Sequence, residues 1–187
     1  MSVFAGERLG CIRGERVVFA GLSFHIAAGS ALTVTGPNGA GKSSLLRLMA
    51  GLLPPAAGTL TWNGASVTDD PEAHRRRISW LGHADAVKPG LTAVENATFW
   101  ATLAGRSRPV EAAADALGRL GLGALLDTPG RYLSQGQRRR VALRRLLVAR
   151  CPLWILDEPT VGLDAAAVAL VEGLLARHLG AGGLAVL

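Results

Sequence analysis

Gly36-Pro37-Asn38-Gly39-Ala40-Gly41-Lys42-Ser43 decides the fold. The eight residues match the spacing of a phosphate-binding loop, and they stand where the pattern has meaning, after an apolar strand ending at Thr35 and before a helix read over Lys42 to Gly51. Glycine lets the backbone curl so that several N–H groups point at phosphate oxygens, and the helix N-terminus adds a favourable dipole. Lys42 is placed to neutralise phosphate charge, the Ser43 hydroxyl can ligate magnesium, and Ser44 is read with the phosphate-binding set.

Outward from the loop, the chain alternates between strand and helix patterns. Upstream lie short strands, Val17-Val18-Phe19, Leu22 to Ile26 and Ala31 to Thr35, separated by glycines. Downstream, Gly58 to Gly64 and Ile78 to Leu81 read as strands, while Ala93 to Ala104 and Val110 to Leu120 read as helices. A helix from about Gln137 to Ala149, the strand Leu153 to Leu156, a helix Ala165 to Leu179 and an apolar run Leu184 to Leu187 follow. This order predicts an α/β fold: a mainly parallel sheet, an antiparallel β portion at the front and a helical subdomain over about residues 90–150.

Two further segments carry chemistry. The strand Leu153 to Leu156 delivers Asp157 and Glu158 at its C-terminal end, where open α/β sheets bind ligands. Asp157 is placed for a magnesium shell, and Glu158 for orienting and deprotonating an attacking water. Leu133-Ser134-Gln135-Gly136-Gln137 begins a helix with small residues whose bare N–H groups suit an anion; read alone, the segment is an ordinary Ser134 N-cap before it is an anion site.

The 187 residues carry a net charge of +6, with 49% hydrophobic and 18% charged residues. That is enough chain for one domain with its own core, and apolar enough to predict a surface that meets a partner or a membrane face. No uncharged run is long or regular enough to span a bilayer, and Met1 to Gly10 has no secretory pattern, so a cytosolic chain is expected. The charge concentrates in Arg75-Arg76-Arg77, Arg138-Arg139-Arg140 and Arg144-Arg145. Without interleaved aromatics these runs read as solvated faces, directed at anionic lipid or an acidic partner before nucleic acid. Cys11 and Cys151 have no metal-like spacing and read as core residues, and the four histidines show none either.

Phosphate loop, Leu133 to Gln137, Asp157-Glu158 and then Gly162-Leu163-Asp164, in that order and over essentially the whole chain, resemble the ABC transporter ATPase family. The resemblance implies a P-loop NTPase fold of the ABC ATPase type across a single domain, residues 1–187, with ATP and Mg²⁺ as ligands. It also implies a homodimer with ATP sandwiched at two sites, in which Ser134, Gly136 and Gln137 act in trans and Asp164 lies in the loop linking the sites.

Within that family, Trp80-Leu81-Gly82-His83, the run Leu133 to Arg145 and Leu153 to Pro159 resemble the ATPases of cytochrome c maturation, which serve a haem-handling membrane complex. His83 stands where members usually carry a glutamine that contacts Mg²⁺ and couples to the membrane partner. An imidazole still accepts a proton or hydrogen bond there but is a poorer Mg²⁺ ligand than an amide oxygen. The implied function is an ATP hydrolase and translocase on the cytoplasmic face of the bacterial inner membrane, with CcmB-like and CcmC-like integral subunits, powering haem export or haem-chaperone release.

Two departures stand out. The stretch Cys11 to Gly14 lacks the aromatic that many members stack on adenine; Arg13 either stacks in its place or is a surface arginine in a turn. The chain also stops at Leu187, before the family's γ-phosphate-sensing histidine, so a truncated C-terminal end is implied, with His178 reading as a solvated helix position. Three rival readings stay open: an ATPase for another cargo, a soluble ABC ATPase on ribosomes or DNA, and a nucleotide-binding module without turnover. The soluble type calls for tandem domains or a long coiled-coil insert, which the sequence lacks.

Overall fold

The computed structural model describes residues 2–187. The elements run β1 (Val3–Arg13), β2 (Arg16–Ala27), β3 (Ala31–Leu32), α1 (Lys42–Met49), β4 (Ala57–Trp62), β5 (Ala65–Ser66), α2 (Pro71–Arg76) and β6 (Ile78–Leu81). They continue with α3 (Ala93–Leu103), α4 (Pro109–Arg119), two short 3-10 turns at Gly123–Leu125 and Gly130–Tyr132, α5 (Gln135–Val148), β7 (Leu153–Leu156), α6 (Ala165–Gly180) and β8 (Leu184–Val186). Two compact units result. One holds the chain up to Trp80 with Pro152–Asp157 and Ala176–Leu187; the other holds Leu81–Cys151 and Glu158–Leu175.

The first unit contains two four-stranded sheets, ordered β2-β1-β4-β5 and β3-β8-β7-β6. The first sheet is antiparallel, and β8 pairs parallel with both β3 and β7 in the second, so the expected parallel sheet and antiparallel portion are both present. All four residues of β7 are buried, as a strand flanked on both edges and both faces requires. The core joins Phe4, Leu9, Ile26 and Leu60 of the antiparallel sheet to Leu45, Leu48 and Met49 of α1 and to Ile155 and Val186.

The antiparallel sheet is longer-stranded than its sequence suggests. The two strands read at 17–19 and 22–26 form one strand, β2, because Gly21 takes a left-handed backbone (φ +70°) without ending the pairing with β1. The strand β1 itself escapes a period-2 reading because irregular pairing between Gly6 and Ile12 shifts which residues face inward. Arg8 bulges out at φ +47°, its N–H donating to Ser23 Oγ at 2.9 Å. Gly58 on β4 lies so close to the Glu7 and Arg8 carbonyls that no Cβ fits. Helix α2 had a readable start signal that the strand pattern around it obscures: Asp70 accepts from the Ala73 N–H at 2.9 Å and Pro71 opens the first turn.

His178 is not the solvated position expected. Its ring lies over the Trp154 indole, centroids 3.9 Å apart and 7° from parallel, and its Nε2–H donates to the Leu184 carbonyl at 3.0 Å. The ring thus joins α6, β7 and β8. Burial lowers its pKa below the ordinary 6.5, against smaller opposing effects of hydrogen bonds to the Leu184 and Pro152 backbone. On acidification below about pH 6.5 the unfolded chain therefore takes up its proton first, and stability falls as pH drops through that window. Buried His74, whose Nε2–H donates to the Met49 carbonyl at 2.9 Å, is shifted the same way by burial. Between pH 7 and pH 5 the melting temperature should fall, and His178→Phe, which keeps a ring but cannot protonate, should shrink that fall. An unchanged slope would show that His178 is not a source of acid lability.

The second unit is helical. Thr92 and Glu95 form a capping box at the start of α3, with Thr92 N–H donating to Glu95 at 2.7 Å. Small residues, Ala97, Ala101, Ala113 and Ala116, are fully or almost fully buried, which lets helices pack closely. The arginines of α5 are not a solvated face. Arg144 is fully buried, donating Nε and Nη2 to the Asn96 carbonyl at 3.2 and 3.0 Å and Nη1 to Val141. Burial, reinforced by the like charge of Arg145, pulls its pKa down to about 9. Asn96 in turn holds the preceding loop through the Lys88, Leu91 and Thr92 carbonyls. The Arg145 guanidinium sits 3.9 Å from the centre of the Trp100 ring.

Candidate functional site

In the first unit the phosphate loop is exposed and preshaped. Gly36, Gly39 and Gly41 have φ of +149°, +82° and +99°, backbone that side chains with a Cβ rarely adopt. Gly41 is the N-cap of α1, with no side-chain cap on the helix start. A Cβ there would strike Val18 of β2, so the hairpin β1–β2 supports the loop from behind. Lys42 opens α1 and turns its ammonium back onto the loop, donating to the Gly36 carbonyl at 2.7 Å and to Pro37 at 3.1 Å. Ser43 and Ser44 follow on the first turn, while Asp157, 8% exposed, directly follows β7 in the same unit. Arg13 is exposed at the end of β1, paired across the hairpin with Arg16.

In the second unit Ser134 is the N-cap of α5. Its Oγ accepts from the Gln137 N–H at 3.2 Å, and its own N–H donates to Gln137 Oε1 at 2.8 Å. The plain capping role of Ser134 is thus real, and it holds Gln137 with it. Gln135 starts the helix two residues earlier than the pattern suggested, and a Cβ on Gly136 would lie 3.1 Å from the Gly162 carbonyl, so the two glycine-bearing turns lie close together. Asp164 caps α6, its Oδ1 accepting from the Ala167 N–H at 2.8 Å. Glu158 is exposed on a left-handed backbone, φ +50°. Glu158, His83, Asp85, Gln135, Arg139 and Val161 line one polar cavity of about 80 Å³. Among the described residues no cluster of three or more His, Cys, Asp or Glu could hold a metal ion by itself.

A glycine loop uncapped at a helix start, a capped second helix start and a carboxylate pair after a buried strand coincide with a known profile: the model of the ABC transporter family matches residues 19–161. The chain belongs to the ABC transporter family. It is 54% identical, over all of its length and 87% of the relative's, to the cytochrome c biogenesis ATP-binding export protein CcmA of Paramagnetospirillum magneticum. A protein of the same name from Rhodospirillum rubrum is 56% identical, over 99% of this chain and 78% of the relative. Among solved structures, the fold is that of an ATP-binding subunit of an ABC transporter (TM-score 0.87, 24% identity, 98% of this chain and 78% of that one). It is also that of a dimeric ATP-binding cassette in a post-hydrolysis state bound to ADP and Pi (TM-score 0.85, 24% identity, 98% and 86%).

Within this ABC chain the residues singled out from sequence fall into two sets. Gly36 to Ser44, Arg13 and Asp157 belong to the first unit; His83, Ser134, Gly136, Gln137, Glu158 and Asp164 belong to the second. Asp157 and Glu158 are nonetheless consecutive in the chain. Sequence reasoning missed Val18, whose contact with the loop has no local signature, and Arg139, hidden in a run of like residues. Among the described residues no helix is long and apolar enough to cross a membrane.

Proposed function

We propose that the chain is the ATP-binding and ATP-hydrolysing subunit of a transporter complex that powers haem export or haem-chaperone release in c-type cytochrome biogenesis. The observation that carries the ATPase reading is the preshaped phosphate loop, with the Lys42 ammonium turned onto its own carbonyls and an α1 start free of any side-chain cap. The cargo reading is supported by the name its relatives bear.

In this reading Gly36, Pro37, Asn38, Gly39, Ala40 and Gly41 wrap the phosphates with backbone N–H groups, Lys42 contributes charge, and Ser43 and Ser44 add hydroxyls. Ser43 and Asp157 would hold Mg²⁺, which supplies charge neutralisation at the phosphates when bound. Two protein ligands and no larger cluster fit an ion that keeps most of its shell from water and phosphate. Glu158 orients a water and takes its proton as the water oxygen bonds to the γ-phosphorus; the bond to the bridging oxygen breaks, and its electron pair leaves with ADP. His83 offers a ring nitrogen as hydrogen-bond acceptor, and Arg13 offers a guanidinium plane to the base. In an ATP-sandwiched homodimer Ser134, Gly136 and Gln137 meet the partner's nucleotide, and Asp164 fixes the turn between the sites.

The membrane partners in this reading are CcmB-like and CcmC-like integral subunits, with the chain peripheral on the cytoplasmic face of the inner membrane. A groove lined by Val94, Thr98, Phe99, Thr102, Leu103 and Val110, with Phe99 and Leu103 more than half exposed, supports an apolar docking face on α3 and α4. The test is complementation in a bacterium deleted for its own cytochrome c biogenesis ATPase. Restored haem attachment to c-type cytochromes is expected. MgATP turnover without restored haem attachment would leave an ABC ATPase for another cargo.

A further inference from the structure

Arg139 has no part in the roles above, yet it is the side chain around which the second unit's polar cavity is built. It lies five residues after the N-cap Ser134, on α5, and is 5% exposed. Its guanidinium bridges two separate stretches of chain, residues 82–85 and Glu158. Nη1 donates to the Gly82 carbonyl at 3.0 Å and lies 3.4 Å from the His83 carbonyl and 3.2 Å from Asp85 Oδ1, while Nη2 donates to the Glu158 carbonyl at 2.7 Å. A planar fork with donors on two edges can do this; a lysine ammonium on its single stem cannot reach both sides.

The Glu158 end of this bridge is strained. A non-glycine residue at φ +50° is held there by its surroundings, against the preference of a side chain with a Cβ for the right-handed region. Two donors fix its carbonyl: Arg139 Nη2 at 2.7 Å and the Val161 N–H at 3.3 Å. Because the Glu158 side chain leaves the same Cα, the backbone angle decides where its carboxylate points. At the other end, the Gly82 and His83 carbonyls fix the backbone from which the His83 imidazole projects. Both side chains, with Asp85, line the same cavity.

We infer that Arg139 is a positioning residue that holds the Glu158 backbone and the His83 segment in one register, set by the helix that also carries Ser134 and Gln137. The inference rests on the reading of Glu158 as the group that activates water. The simpler rival is a structural ion pair with Asp85, in which case only stability would depend on Arg139.

The experiment uses the membrane complex purified through a tag on this chain, with turnover normalised to the folded fraction by MgATP-binding titration. Arg139→Lys keeps the charge and loses the fork; Asp85→Asn removes the ion pair and keeps the contacts to Gly82 and Glu158. Arg139→Lys is expected to lower kcat about 10- to 100-fold, as a displacement of order 1 Å at a reacting group does, with KM for MgATP within about threefold. Asp85→Asn should leave kcat within about threefold, and Arg139→Lys should add nothing in a Glu158→Gln background. The inference is overturned if Arg139→Lys keeps wild-type kcat, if Asp85→Asn reproduces its loss, or if the loss persists undiminished beside Glu158→Gln. The two readings separate cleanly: wild-type turnover in Glu158→Gln alone defeats the role of Glu158, whereas an inactive Glu158→Gln beside an unimpaired Arg139→Lys defeats only the role of Arg139.

Discussion

Glu158→Gln is expected to abolish MgATP turnover, by about 10²- to 10⁴-fold, while ATP binding stays within a few-fold of wild type. The amide is close to isosteric with the carboxylate, so the left-handed backbone and its bonds from Arg139 and Val161 are retained and only the basic oxygen is lost. Glu158 is exposed, so the exchange leaves no buried charge uncompensated. If the chain forms the proposed ATP-sandwiched homodimer, Glu158→Gln should also show an ATP-dependent shift in size-exclusion elution. Phosphate release at the wild-type rate would take Glu158 out of its role.

Lys42→Met should weaken MgATP binding by about 10²- to 10³-fold. An ammonium 4 Å from a phosphate charge is worth about 4 kcal/mol at an effective dielectric of 20, and each 1.4 kcal/mol is tenfold in affinity. Partial hydration of an exposed loop reduces that figure, whereas loss of the bonds to Gly36 and Pro37 adds to the effect by loosening the loop itself. Methionine keeps the aliphatic stem and the helix propensity of the first turn of α1, so the folded state should be intact. Calorimetric titration with MgATP reads the loss directly. The pair of variants divides the chemistry: one loses affinity, the other keeps affinity and loses turnover. A Lys42→Met affinity within threefold of wild type would mean that backbone N–H groups alone hold the phosphates.

Much of this protein is legible locally. The phosphate loop, the helix starts at Thr92 and Ser134 and the buried strand ending at Leu156 are specified by short-range chemistry: glycine where φ must be positive, a hydroxyl where N–H groups need a cap, a continuous apolar run where a strand is covered on both faces. Helices α3 to α6 follow from periodicities that need no partner to be recognised. What the sequence alone could not determine is where a polar or charged side chain ends up, since that depends on groups far away in the chain. Arg138-Arg139-Arg140 and Arg144-Arg145 have the same composition whether solvated or enclosed; only the tertiary structure sets the carbonyls of Gly82 and Glu158 around Arg139, and that of Asn96 beside Arg144. His178 looks like a surface histidine until β7 and β8 bring Trp154 and Leu184 to it. The irregular pairing that hides β1, and the close approach of Val18 behind Gly41, are likewise properties of two segments meeting. Backbone conformation is selected by neighbours within a few residues, whereas burial and polar partnership are selected by whatever the fold places opposite.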